Sequence, residues 1–347
     1  MASGQNHASL TTLFGAVGLI TTSVLTVKLL GAVRIYLRPS RLNRYAHRSP
    51  NGEEPWALVT GTTNGVGLAL AHELAVQGFN VVLHGRNPEK LSGVETQLRE
   101  AFPARSFRTL VADAGTVSCT SCLSTRDSSV GHGSGPQPLN FENIRQQLDD
   151  IYLTVLINNV GGGPFDPGFL SLREESEFRT MENISLNALF PFQLTRALLP
   201  NLARHGPSLV MNISSMADVG NPLLATYGAS KAFLMAATRA MRLEMELEGL
   251  SGDIEILGIR FGKVTDARGF TQAPSLFVPN AETMAKTALA RAGWGNGVIV
   301  GHWGHALLNF ASVLLSWLPG RLEEKVIIEV MRKLQLEERG TKPDKRS

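Results

Sequence analysis

Between residues 55 and 270, short runs of apolar residues alternate with longer stretches whose apolar positions recur every three or four residues. The runs 56–60, 80–84, 107–111, 154–157, 209–213 and 255–260 have the length and continuous apolar character of strands buried on both faces. Between them, 68–77, 88–102, 141–150, 174–199 and 227–248 read as helices, the first closed by Gly78. Strands alternating with helices predict an α/β fold, a doubly wound parallel sheet of Rossmann type in a single catalytic domain.

The pattern changes at both ends. Residues 10–27 carry no charge over eighteen positions, just enough to cross a bilayer, although Thr11, Thr12, Thr21, Thr22, Ser23 and Thr26 dilute the hydropathy. Arg34, Arg38, Arg41, Arg44 and Arg48 follow, and no Lys or Arg precedes Leu10. The positive-inside rule then makes 1–33 a single-pass membrane anchor with everything after it cytosolic. A cleaved presequence would carry a basic start, which is missing here. Residues 34–54 become a basic linker, 55–270 the catalytic domain and 271–347 a C-terminal substrate-loop and helical extension. In that extension 306–318 is apolar but too short to span, with Trp303 and Trp317 near its ends. It suits packing on the core, a membrane surface or a lipophilic substrate entrance. Residues 321–339 read as an amphipathic charged helix, solvated or facing a second copy in a homodimer.

Composition adds bounds. A chain of 347 residues with 43% apolar content buries one large α/β core, and a net charge of +3 gives no global footprint for nucleic acid. Cys119 and Cys122, the only cysteines, fall in the Ser-, Gly- and Pro-rich insertion at 115–140 and lack the further ligands a zinc site needs, so no metal is expected. Two loop thiols also fit a reducing compartment.

Candidate chemistry collects where strands end. The run 56–60 passes into Gly61-Thr62-Thr63-Asn64-Gly65-Val66-Gly67 and then a helix. Glycines there permit a tight turn, let phosphates approach the backbone and aim a helix N-terminus at negative charge. The strand 80–84 ends in Gly85-Arg86-Asn87 with no acid, which favours a cofactor carrying a 2′-phosphate, NADP(H). Asp113 is a candidate for the adenine edge. Asn158-Asn159-Val160-Gly161-Gly162 leaves the strand 154–157, and Asn183 and Asn187 interrupt an apolar helix, where bonding to a bent helix backbone is their default role. Ser214 and Ser215 end the strand 209–213, and Val264 and Thr265 leave the strand 255–260. Tyr227 and Lys231 lie four residues apart on one helical face, where the ammonium is expected to lower the phenol pKa from about 10.

Together Thr60-Gly61-x3-Gly65-x-Gly67, Asn158-Asn159-Val160-Gly161, Asn187, Ser214-Ser215 and Tyr227-x3-Lys231 resemble the short-chain dehydrogenase/reductase family over roughly residues 55–270. The anchor, the basic stretch and the residues flanking Tyr227 resemble its membrane-bound very-long-chain 3-oxoacyl-CoA reductases and their 17β-hydroxysteroid dehydrogenase relatives. The resemblance implies that a hydride passes between NADP(H) and a lipophilic carbonyl or alcohol while Tyr227 protonates the developing alkoxide. Lys231 would hold the nicotinamide ribose, a serine would orient the carbonyl, and Asn187 would position a relay water. Gly61, Thr63, Asn64, Gly65, Val66, Gly67, Arg86, Asp113, Asn159, Val264 and Thr265 would surround the cofactor with Tyr227 and Lys231. Counting thirteen residues back from Tyr227 favours Ser214 as the orienting serine, whereas the strand end selects Ser215. Phe261 stands where the family has proline, and the chain ends Asp344-Lys345-Arg346-Ser347 without a dilysine retrieval signal, which loosens the tie to the endoplasmic reticulum and to acyl-CoA. The rival readings are an oxidoreductase of a specialised polyketide, terpenoid or steroid pathway and a non-catalytic NADP-binding membrane scaffold.

Overall fold

The computed structural model describes residues 2–117, 139–162, 168–266 and 273–340. They form two compact units, Met1–Ser40 and Arg41–Ser347. The first unit is one helix, α1 (Ala2–Leu37). Among the described residues no helix is long and apolar enough to cross a membrane. The six hydroxyl side chains between residues 11 and 26 weaken the apolar run that the anchor expectation rested on.

The second unit is built on seven parallel strands in the order β3-β2-β1-β4-β5-β6-β7. These are β1 (Trp56–Thr60), β2 (Asn80–Gly85), β3 (Phe107–Val111), β4 (Leu153–Asn158), β5 (Ser208–Ser215), β6 (Ile254–Phe261) and β7 (Val298–Val300). Strand residues alternate between the two faces of the sheet. Ala57, Val59, Val155 and Ile157 join one buried cluster, while Leu58, Leu153 and Leu156 join the other. With both faces covered, the central strands are mostly apolar, which is why their runs stand out in the sequence.

One face is covered by α2 (Gly65–Val76), α3 (Pro88–Ala101) and α8 (Ala281–Leu289). The other carries α4 (Phe141–Gln146), α6 (Phe190–Arg204) and α7 (Ala225–Leu247). Local chemistry sets the helix starts. Asn87 accepts the Lys90 N–H at 2.8 Å with Pro88 in the first turn, and Asn280 accepts that of Thr283 at 2.9 Å. The segment expected as a single helix from 174 is three pieces: α5 (Glu177–Ile184), a π-helical turn at Ser185–Leu189, and α6.

Two elements C-terminal to residue 270, α8 and β7, complete the sheet and its cover. Beyond them lie α9 (Trp303–Ser316) and α10 (Leu322–Gly340). The stretch read as a linker is also partly built in. Leu42 and Tyr45 are buried, and the Tyr45 hydroxyl donates to Glu255. Burial beside that carboxylate pushes the Tyr45 phenol up. Both cysteines and most of the 115–140 insertion lie outside the described residues.

Candidate active site

The strand order reverses between β1 and β4, and a doubly wound sheet opens a crevice at the carboxyl edge of such a switch point. The loop after β1 is the glycine loop, and that after β4 is Asn159–Gly162. Gly61 and Gly65 hold φ of +76° and +58°, in the region that favours glycine. Gly67 has another reason to lack a side chain. A Cβ there would stand 2.0 Å from the Gly61 carbonyl oxygen and 2.6 Å from the Asn159 amide nitrogen. Asn159 ties the two loops together, its side-chain amide donating to the Thr60 carbonyl at 2.9 Å and its backbone N–H to the Thr60 hydroxyl at 2.9 Å.

Beneath the turn lies His84, which sequence reading passed over. Gly61 N–H donates to its carbonyl at 3.0 Å and points at its Nδ1 at 3.3 Å. The ring is fully buried, stacks on Phe190 at 5.0 Å and has its pKa lowered to about 4 by burial, so it stays neutral. Asn64 caps α2 in extended conformation with no side-chain cap bond. Thr63 and Val66 are half-buried around it, the Thr63 methyl lying 3.1 Å from the position a Cβ would take on Gly85. The cradle, kept open only by glycine at 67, and the first turn of α2 fit the pyrophosphate of a dinucleotide.

Arg86 leaves β2 at the same edge, exposed, with its guanidinium 3.8 Å from Glu182 of α5. Glu182 was not anticipated. Asp113 accepts the Gly115 N–H at 3.0 Å, capping the turn after β3. Val264 and Thr265 are buried behind β6, where Thr265 N–H donates to the Pro279 carbonyl at 3.0 Å.

Across the crevice, α7 starts at Ala225 and presents Tyr227 half-buried and Lys231 buried. Lys231 Nζ donates to the Ile213 carbonyl at 3.1 Å. A Cβ on Gly161 would meet both Lys231 Nζ and Asn187 Oδ1 at 2.8 Å, so a bare backbone at 161 brings these two groups together. Asn187 occupies the π-helical turn, fully buried, donating to the carbonyls of Asn183 at 3.0 Å and Gly162 at 3.3 Å and accepting the Gly162 N–H at 3.2 Å. Inserting one residue into a helix turn is a common way to re-aim a side chain at a functional site.

The two serines have different surroundings. Ser214 is buried and donates to the Lys231 carbonyl at 3.2 Å, behind the helix. Ser215, one residue on and therefore on the opposite face of β5, accepts the Ala217 N–H at 3.1 Å and is the hydroxyl that acts on the Tyr227 phenol. The expected lowering of the tyrosine pKa is corrected. Burial pushes the phenol up, the nearby Ser215 hydroxyl pulls it down, and the charge of Asp218 pushes it up again. Burial lowers Lys231 to about 8. The lysine therefore loses its proton before the phenol does, and its charge is gone by the pH at which the tyrosine ionises.

Two supporting groups were invisible to spacing. Asp218 is held by Arg260 of β6, and burial raises its pKa. Under the site a polar chain crosses the core: Asn158 donates to Thr195 at 2.9 Å and Asn212 at 2.7 Å, and Asn212 donates to Thr238 at 2.9 Å. A small pocket opens beside Tyr227, lined by Gly168, Leu170, Glu175, Arg179 and Asn183 with Leu223 and Leu224. Leu223 holds φ of +66°, unusual for a bulky side chain and of a kind that recurs at ligand clamps. Among the described residues no cluster of side chains suits a metal.

The family model for the short chain dehydrogenases matches residues 55–124 and 140–269. A very-long-chain 3-oxoacyl-CoA reductase-like protein of Arabidopsis thaliana is 30% identical, over 83% of this chain and 82% of its own. A very-long-chain 3-oxoacyl-CoA reductase of Coprinopsis cinerea is 28% identical over 75% of this chain and 72% of its own. Among solved structures, one of a 7β-hydroxysteroid dehydrogenase aligns with TM-score 0.60 at 21% identity, covering 81% of this chain and 97% of that one. A short-chain dehydrogenase from Sphingobium yanoikuyae, in complex with NADPH, aligns with TM-score 0.56 at 20% identity, covering 77% and 97%.

Proposed function

The chain belongs to the short-chain dehydrogenase family, and on that premise we propose that it is an NADPH-dependent reductase of a lipophilic carbonyl, a very-long-chain 3-oxoacyl-CoA. The observation that carries the proposal is the convergence of Tyr227, Ser215, Lys231 and Asn187 on one crevice that also holds the glycine cradle. A scaffold has no use for that set. The names of the 3-oxoacyl-CoA reductase relatives support the substrate class.

Gly61, Gly65, Gly67 and the first turn of α2 would hold the pyrophosphate of NADP(H), with Arg86 at the end of β2 for its 2′-phosphate. When bound, NADPH supplies the hydride. The rest of the chemistry belongs to the protein. Ser215 directs its hydroxyl to the carbonyl oxygen, and Tyr227 gives its phenolic proton to that oxygen as negative charge develops there. A phenol held above its ordinary pKa remains protonated at neutral pH, as a proton donor for reduction must. Lys231 and Asn187, drawn together around Gly161, line the route by which the phenol is reprotonated.

Attachment to membranes is part of the proposal. The uncharged stretch at 10–27 and the arginines after it favour a single-pass anchor with the catalytic unit cytosolic. The test of function is NADPH oxidation by full-length protein in purified membranes, across a panel of 3-oxoacyl-CoA thioesters and steroid or terpenoid ketones. Turnover of long 3-oxoacyl-CoA is expected. Turnover of ketones with none of any acyl-CoA would select a specialised-pathway enzyme, and no NADPH binding would sink both.

A further inference from the structure

Residues 168–175 lead into α5, and their first two peptide N–H groups point the same way. Gly168 and Phe169 both donate to the carboxylate of Glu338 on α10, the Phe169 bond measuring 3.0 Å. Gln335, one turn earlier on that helix, donates to the Phe169 carbonyl at 2.9 Å, and Arg339 lies 3.6 Å from Glu174. Met331, Leu334, Gln335 and Glu338 recur at helical spacing and are the covered positions of the helix end, Met331 fully so. Gly168 has to be bare for the approach, because a Cβ there would stand 2.7 Å from a Glu338 oxygen.

The segment so held is a wall of the pocket beside the phenol. Gly168, Leu170 and Glu175 line it together with Tyr227. Glu175 also accepts the hydroxyl of Thr226, the residue before Tyr227, at 2.7 Å. A continuous set of polar contacts therefore runs from the C-terminal helix, through 168–175, to the start of α7.

We infer that Glu338, assisted by Gln335, is a positioning residue for the carbonyl substrate: α10 latches the 168–170 wall and thereby sets its distance from Tyr227. The inference rests on the reading of Tyr227 as proton donor. A carboxylate that receives two backbone N–H groups makes charge-assisted bonds, stronger than neutral ones, so its loss releases the wall rather than loosening it slightly. A contact that served stability alone would leave substrate recognition unchanged.

The experiment uses the full chain with Glu338→Ala, Glu338→Gln, Gly168→Ala and the combination of Glu338→Ala with Gly168→Ala. It reads hydrogen exchange at residues 168–175, and KM for NADPH and for the carbonyl substrate that wild type turns over best. Glu338→Ala is expected to speed exchange at Gly168 and Phe169 by about tenfold and to raise the carbonyl KM by a similar factor. The NADPH KM stays within about twofold, Glu338→Gln falls between, and Gly168→Ala adds little on top of Glu338→Ala. Unchanged exchange overturns the latch. Faster exchange with an unchanged carbonyl KM, or both KM values rising together, overturns the positioning role. Absence of any carbonyl reduction by wild type defeats the underlying reading instead, and exchange, which needs no turnover, tells the two failures apart.

Discussion

Lys231 is the residue whose surroundings differ most from what its spacing suggests. Four residues from Tyr227, it reads as a charge that tunes the phenol, yet it is buried with its Nζ donating to one backbone carbonyl. With its pKa lowered from 10.5 to about 8, the folded protein gives up a proton that the unfolded chain keeps between those values. Stability should therefore rise with pH across that window and carry the penalty in full below it. Lys231→Met should abolish the rise, measured by urea unfolding at about pH 7.5 and 9.5, and equal slopes in variant and wild type would refute the assignment. The serine pair gives a second residue-scale prediction. Ser215→Ala should reduce kcat/KM for carbonyl reduction by about a hundredfold or more, as loss of a donor at a developing oxyanion does. Ser214→Ala, behind the helix, should cost less than about tenfold. Sequence alone could not choose between them because a one-residue step on a strand exchanges its faces.

Among elements, the central strands β1, β2, β4 and β5 were legible because burial on both faces leaves a mostly apolar run, and β3 and β6 because their apolar residues are only briefly interrupted. β7 was missed: three residues, with Val298 exposed, carry no such signal. The π-helical turn at Ser185–Leu189 was likewise hidden, since one extra residue in a helix barely disturbs its apolar period while it re-aims Asn187. At the opposite end of the crevice, the close seat of α2 on the β1 loop depends on Gly67. Gly67→Ala should destabilise the protein by about 1–3 kcal/mol through overpacking against the Gly61 backbone, and should weaken NADPH binding measured by fluorescence titration. A variant with wild-type stability and affinity would show that the loop gives way and that the cradle is not as close as described.

For the molecule as a whole, the alternation of strands and helices located the fold, but long-range pairs such as Arg86–Glu182, Asp218–Arg260 and Phe169–Glu338 had no sequence signature, because each joins residues far apart in the chain. The apolar stretch near the C-terminus became α9, which carries no charge and leaves Trp303, Leu307, Phe310, Leu314 and Trp317 well exposed. An apolar face edged by tryptophans suits a lipid interface. Full-length protein should sediment with membranes through a high-salt wash, and a chain beginning at Arg41 should sediment less but should still bind vesicles more than its Trp303→Ser, Trp317→Ser form. Equal behaviour of all three in the wash and with vesicles would remove the membrane from the proposal.

The central claim is that Tyr227 delivers the proton in an NADPH-dependent reduction, and the most direct measurement is that reaction in purified Tyr227→Phe. The change removes one hydroxyl from a half-buried ring. The account predicts unchanged thermal unfolding, unchanged NADPH binding and a fall in kcat/KM of about a thousandfold, within the range of general acid catalysis. A folded variant that binds NADPH and keeps most of the wild-type rate would contradict it.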